Sequence, residues 1–424
     1  MKHHYTAYFC GCLTTTKEVN AEHLSQAGWK QEKDTEIAFF KTRHIFYEEF
    51  LNFCVAQKPE EGCVAWRYEM KEEGRVGSCK NVLEQYVFYQ VPALHCYILP
   101  FDIVIFAIEV TAVEDELDNF TSIAFHLRLM ELPPKVEEVV RNLYQVITGK
   151  QSPADLSEAL AYGYKLKVFQ VIDSEVEWDS ETSNERRRKL FSLGTMQSSL
   201  SPISSHFQNG YENDILAEHV VSVFNNWDAL ALLDSFTLRF MKCQDYQQRD
   251  WKYAYFRMIY IQSLFQKFYL QSLNQRFRSM VEHRGNYRLD ALLAEFEHYE
   301  RICQFPKISY TFLPLIIDNA IDASLEIKEE RELLSNYIKG EEKRHESENE
   351  HRINRLLVVI SGLTMFSAIW DLTCLIDQIF PFDRFLSSTR RGYAIISFCL
   401  LFVIVLLLIA CFGLMRKRQR GRRD

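Results

Sequence analysis

The sequence predicts an α+β membrane protein in three parts: an N-terminal cytosolic α/β domain, a helical stalk with one long helix, and a C-terminal two-helix transmembrane hairpin. Three observations predict it. β-rich runs alternate with helix-like segments up to about residue 178, no proline occurs between Pro314 and Pro381, and two apolar stretches, 356–380 and 393–415, close the chain. The expected boundaries are 1–212 for the α/β domain, with a Ser-rich loop at 180–210; 213–355 for the helical domain and stalk helix; 356–392 for the first transmembrane helix and a short outer loop; and 393–424 for the second transmembrane helix and a basic cytoplasmic tail.

In the first part, the runs HYTAYFCGCL, TEIAFFK, GCVAWRYEM, ALHCYIL, FDIVIFAIEV and YKLKVFQVI carry the aromatic and β-branched residues of strands. Residues 103–108 are apolar throughout, as in a central strand covered on both faces. Helices are expected near 116–130 and 135–147. The acids Glu114, Asp115 and Glu116 suit a helix N-terminus through its dipole, and a solvated helix start outweighs a catalytic carboxylate pair. Residues 180–210 hold eight serines and the run Arg186, Arg187, Arg188, Lys189, which reads as a mobile loop.

From 213 to the membrane the chain reads as helical, with helices around 250–280 and 289–304 and a last one from near Tyr310. In that last helix Ile316, Ala320, Ala323, Ile327, Leu334 and Ile338 recur at spacings of three, four and seven. The segment KGEEKRHESENEHR (339–352) has no apolar residue and reads as a wet stalk, with Gly340 marking a bend.

The segment 393–415 offers 23 residues without a charge, enough to cross a hydrocarbon core of about 30 Å. The segment 356–380 is apolar until Asp371 and Asp377, and the connection PFDRFLSSTRRG is too short for a domain. Basic residues after the second span and before the first place both termini in the cytoplasm, so a multi-pass inner-membrane location is expected.

Charge and motifs exclude several classes. The last segment, from 356, is net +5 and the remainder net −13, which argues against duplex nucleic-acid binding. The chain has no G-x-G-x-x-G, Walker A, H-E-x-x-H or G-x-S-x-G, so no enzyme activity is expected. Eleven cysteines without a C-x-x-C or an N-terminal secretory signal read as reduced and buried, with no metal site; Cys10 and Cys12 form only a C-x-C. His345, Glu346 and His351 fall on different helix faces and read as solvated stalk residues.

On the first span, Asn354, Ser361, Thr364, Ala368 and Asp371 share a stripe about 100° wide. Such a stripe packs a neighbouring helix or lines water, and a carboxylate within it favours a water-lined path. One hairpin cannot surround a pore, so this reading requires a cyclic homo-oligomer in a lipid bilayer.

This organisation resembles the CorA family of magnesium channels. The resemblance is carried by Asn354 and Arg355 at the membrane entry, the span LLVVISGLTMFSAIW and the MRKRQ that follows the second span. It implies a pentamer. The family's Gly-Met-Asn signature is missing; the corresponding region reads from Asp371 to Asp377, which puts selective magnesium transport in doubt. In lacking that tripeptide, and in its large cytosolic portion, the chain is similar to CorA-like effectors of type III CRISPR antiviral defence, which implies a channel gated by a nucleotide messenger such as an S-adenosylmethionine-AMP adduct or another adenine nucleotide. The alternatives are a divergent divalent-cation (Mg/Co) transporter and a membrane-tethered interaction protein without a pore.

A nucleotide ligand needs cations for its phosphates and an aromatic or apolar face for its base. Two clusters offer both: Trp66 with Arg67, and Arg249, Trp251, Lys252, Tyr255 and Arg257. Each also reads as an exposed amphipathic surface or the rim of a core helix.

Overall fold

The computed structural model describes residues 2–15, 19–32, 44–175, 183–199, 219–283 and 286–379. The chain divides into two compact units, Met1–Lys339 and Gly340–Asp424.

The first unit is built on one open sheet, which has ten strands among the described residues. They are β1 (His3–Thr14), β2 (Lys30–Gln31), β3 (Val64–Glu69), β4 (Val76–Lys80), β5 (Tyr86–Ile98), β6 (Ile103–Glu114), β7 (Lys167–Ser174), β8 (Val220–Val221), β9 (Trp227–Leu232) and β10 (Ser235–Met241). Their order is β2-β3-β5-β6-β1-β7-β10-β9-β8, with β4 paired on β5. The pairs are antiparallel except β7 with β10, which run parallel.

Helices cover both faces. Tyr5, Ala7 and Phe9 of β1 face one core and Tyr8, Cys10 and Cys12 the other, because successive strand side chains point to opposite sides. The first core is closed by α1 (Ala21–Gln26), α3 (Leu117–Arg128) and α4 (Pro134–Thr148). Pro134 at the first position of α4 and Gly149 with φ 67° just past its end follow the usual start and stop chemistry of a helix. The second core takes α2 (Glu48–Cys54) and the helices after the sheet. These are α6 (Asp245–Arg249), a π-helix (Asp250–Tyr260), α7 (Ile261–His283), α8 (Asn286–Cys303) and α9 (Phe312–Ser324), followed by α10 (Ile327–Ile379). Of the eight cysteines whose side chains are described, all but Cys243 are buried.

Several expectations are corrected. Among the described residues after 213, which start at 219, strands precede the helices: β8, β9 and β10 come first, and β10 enters the sheet beside β7. WDALAL and SFTLRFM are buried on both faces, so they lack the alternation that marks a half-exposed strand. Within the Ser-rich segment, α5 (Ser183–Thr195) forms because Leu190 and Leu193 are buried and Arg186 reaches Asp228 at 2.6 Å; residues 200–218 lie outside the described residues. The strand expected at TEIAFFK also lies outside them. The last helix does not run unbroken from Tyr310, because α9 ends at Ser324 and α10 starts at Ile327.

The largest correction concerns the membrane. No helix among the described residues is long and apolar enough to cross one. In α10 the apolar run that starts at Leu356 is interrupted by Asp371 and then Asp377, and a carboxylate within a span is costly. The fold described is therefore an α+β domain on an open sheet, followed by a long helix, and not an α/β domain with a transmembrane hairpin. The CorA-like reading, the messenger-gated channel of antiviral defence, the Mg/Co transporter, the membrane-tethered alternative and the multi-pass inner-membrane location all rested on that hairpin and are withdrawn with it. The second expected span, 393–415, lies outside the described residues.

Candidate functional site

Three adjacent strands place polar side chains on the face that carries the second core. Arg67 on β3 is the register partner of His95 on β5, and Glu109 on β6 pairs with Ala93, two residues from His95. All three positions alternate with residues of the opposite core, so one face of the sheet presents a cation, an imidazole and a carboxylate side by side. The π-helix lies over them. Its wider turn closes over five residues, which brings Lys252 and Arg257 to the same side.

The result is a buried ion network. His95 Nε2 is 2.9 Å from Glu109 Oε2, and its Nδ1 is 3.3 Å from Glu32 Oε1. Lys252 Nζ lies 2.9 Å from Glu109 Oε1, Arg67 Nη2 4.0 Å from Glu109 Oε2, and Arg257 Nη1 2.9 Å from Glu32 Oε2. Burial works to lower the His95 pKa, but its bonds to Glu109 and Glu32 outweigh that and raise it. Burial likewise works to raise both carboxyls, yet His95 and the cations hold Glu32 and Glu109 down at about 2. With His95 protonated, four cations face two carboxylates. A cavity of about 280 Å³ adjoins the Glu32–Arg257 pair, lined also by Gln31, Gln57 and Cys63.

Of the residues expected to bind a ligand, the structure brings together Arg67, Lys252 and Arg257, which are far apart in the chain. It does not bring the aromatic ones to them as a ligand face. Trp66 points into the opposite core, and Trp251 packs among Trp227, Phe240 and Tyr255 at ring separations of 5.7, 5.7 and 4.3 Å. Arg249 closes α6, at the start of the π-helix. Asn354, Ser361, Thr364, Ala368 and Asp371 all lie on α10 in the second unit and are exposed; the Thr364 hydroxyl donates to the Ile360 carbonyl at 3.1 Å. Among the described residues, no three His, Cys, Asp or Glu side chains gather to hold a metal ion.

A second, larger cavity of about 480 Å³ lies in the first unit, where the loop before β7, the β9–β10 turn, α7 and the start of α10 meet. Tyr162 and Phe268 stack on its wall with ring centroids 5.8 Å apart and planes 17° from parallel. Lys167, Lys267 and Arg278 line it, with the amides of Gln271, Asn274 and Gln275 and the acids Glu326 and Glu330. Lys167 is held by Asp234 at 2.8 Å and Arg278 lies 6.0 Å over the Tyr337 ring. Lys267 is 5% exposed, an ammonium desolvated at the cavity wall.

Sequence reasoning missed this site. A signal was present: Lys267 interrupts a helix whose neighbours Leu264, Phe265, Phe268 and Leu270 are all buried, and a lysine in such a face is there for a partner. The remainder comes from the β9–β10 turn and from a loop that carries no pattern of its own.

Compared with known proteins, the chain matches no family model, no curated protein and no solved structure.

Proposed function

We propose that the Met1–Lys339 unit is a binding domain for a nucleotide-like ligand, a planar base joined to phosphate, and that the cavity between Tyr162 and Arg278 is its site. The single observation that carries this reading is that a stacked aromatic pair and three cationic side chains line the same 480 Å³ cavity. That volume suits one mononucleotide. Tyr162 and Phe268 supply an apolar wall for a base, the amides of Gln271 and Gln275 supply donors and acceptors, and Lys167, Lys267 and Arg278 face the phosphate. The lining carries three cations against two acids, so a phosphate balances a net positive wall.

The network around His95 serves this reading as scaffold. Its acids each hold two or more cations, and the cluster ties β3, β5 and β6 to the π-helix that leads into α7. The test is calorimetric titration of the full-length protein with AMP, adenosine and inorganic phosphate. AMP binds more tightly than either part, and Arg278→Ala weakens it by about tenfold, the scale of one lost charge-assisted hydrogen bond. Equal or absent heats for all three compounds would overturn the reading.

A further inference from the structure

The cavity ends on the break between two helices. α9 stops at Ser324, and Glu326 takes a φ of 56°, in the left-handed region that residues with a Cβ enter at a cost. The carbonyl of Glu326 accepts the Glu330 N–H at 3.1 Å, so α10 starts from the residue that breaks α9. On either side Leu325 and Ile327 are buried, which fixes the chain's path and leaves the Glu326 side chain pointing outward, 60% exposed.

Lys267 joins this junction to the cavity. Its Nζ lies 3.1 Å from Glu330 and 3.8 Å from Glu326. The two acids are not equivalent. Glu330 is also held by Asn274 Nδ2 at 2.7 Å and is largely shielded, whereas the Glu326 carboxylate reaches Lys267 across the longer gap and from water. An anion arriving in the cavity meets one ammonium with a firm partner and a loose one.

We propose that the phosphate of a ligand in this cavity displaces Glu326 from Lys267 and thereby loosens the left-handed turn between α9 and α10, so that occupancy is reported as a change in the backbone at the helix junction. The inference rests on reading the cavity as a phosphate-ligand site. The displaced carboxylate loses its counterion and is repelled by the dianion beside it. The turn is then left with its backbone cost and without that tether. The coupling is reciprocal: whatever weakens the Glu326–Lys267 contact favours the ligand, and the ligand weakens the contact.

The experiment uses the full-length protein with AMP as the probe, reading its Kd by calorimetry and hydrogen–deuterium exchange across residues 321–334. In the wild type, AMP speeds exchange at the Glu330 amide. Glu326→Gln, at an exposed side chain, keeps the backbone's need for positive φ but removes the competing charge. It binds AMP at least threefold more tightly, and its junction exchanges faster before any ligand is added. Lys267→Gln exchanges fast at the junction and no longer responds to AMP. An unchanged Kd in Glu326→Gln, with junction exchange that ignores AMP in the wild type, overturns the proposal while leaving the cavity reading intact. No AMP binding to the wild type overturns both.

Discussion

The imidazole of His95 meets the carboxylate of Glu109 at 2.9 Å on the buried sheet face that also carries Arg67, and each keeps the other charged. Replacing Glu109 by Gln leaves Lys252 and Arg67 beside His95 without their common counterion. Removing one partner from a buried ion pair strands the others, so Glu109→Gln lowers stability by about 3 kcal/mol, measured by urea unfolding near pH 6. A loss below about 1 kcal/mol would mean that water reaches the network.

The same pair sets a pH window. The His95 pKa is raised above its usual 6.5, so its contribution is complete below that value and disappears as pH rises through the raised one. Glu32 and Glu109 sit at about 2 against an ordinary 4.5, so their contribution is complete above 4.5 and disappears as pH falls toward 2. The stability gap between wild type and Glu109→Gln is therefore widest from about pH 4.5 to 6.5 and narrows on both sides. Urea midpoints at pH 3, 5.5 and 9 check this, and a flat gap contradicts it.

Asp318 and Asp322 lie one turn apart on α9. Burial and the neighbouring carboxylate raise the Asp318 pKa well above its usual value, and burial lifts Asp322 to about 6 even though Ser263 donates to it. An acid whose pKa is raised on folding costs stability once pH passes its unfolded value. Asp318→Asn accordingly stabilises the protein at pH 7 to 8 by about 0.5 kcal/mol, the scale of a like-charge pair on one helix face, and has no such effect at pH 3. Thermal melts at the two pH values separate this from a change in packing.

Gly11 is the register partner of Phe106 in the β1–β6 pair, and a Cβ there would stand 2.4 Å from the Phe106 ring and 2.8 Å from Leu160. Phe106 is fully buried and has no room to retreat. Gly11→Ala therefore costs about 1 to 3 kcal/mol by overpacking, and adding Phe106→Leu recovers part of that loss. Additive losses in the double variant would show that the two positions do not compete for the same space.

How much of this was legible depended on pattern. β1, β3, β5, β6 and β7 could be read from runs such as FDIVIFAIEV, and α3 and α4 form close to the helices expected near 116–130 and 135–147. β9 and β10 could not, since strands buried on both faces and only six or seven residues long look like pieces of a core helix. Arg67, Lys252 and Arg257 could be picked out as cations beside aromatics, but not the Glu32, His95 and Glu109 that neutralise them, because partners across a sheet have no fixed spacing in sequence. The break at Glu326 was hidden for a related reason. No glycine or proline marks it, and a left-handed glutamate is held by its surroundings. The expected span at 356–380 rested on composition, and no helix among the described residues is long and apolar enough to cross a membrane.

The ligand cavity makes a prediction that separates its two halves. Tyr162 is half-buried on a loop, so its ring can be removed without opening the core, whereas Phe268 is 2% exposed and belongs to the core. If a base stacks on Tyr162, Tyr162→Ala loses about 1 to 3 kcal/mol of AMP binding, the usual worth of one base on an aromatic ring, and leaves the weak binding of inorganic phosphate unchanged. Lys167→Ala does the opposite: it weakens phosphate and AMP by the same factor and leaves adenosine where it was, because Lys167 faces the anion while Asp234 remains balanced by Arg128. Calorimetric titrations of both variants with the three compounds decide it. Losses that are equal across all three compounds would mean that the cavity has collapsed and that the two sides do not act as separate base and phosphate sites.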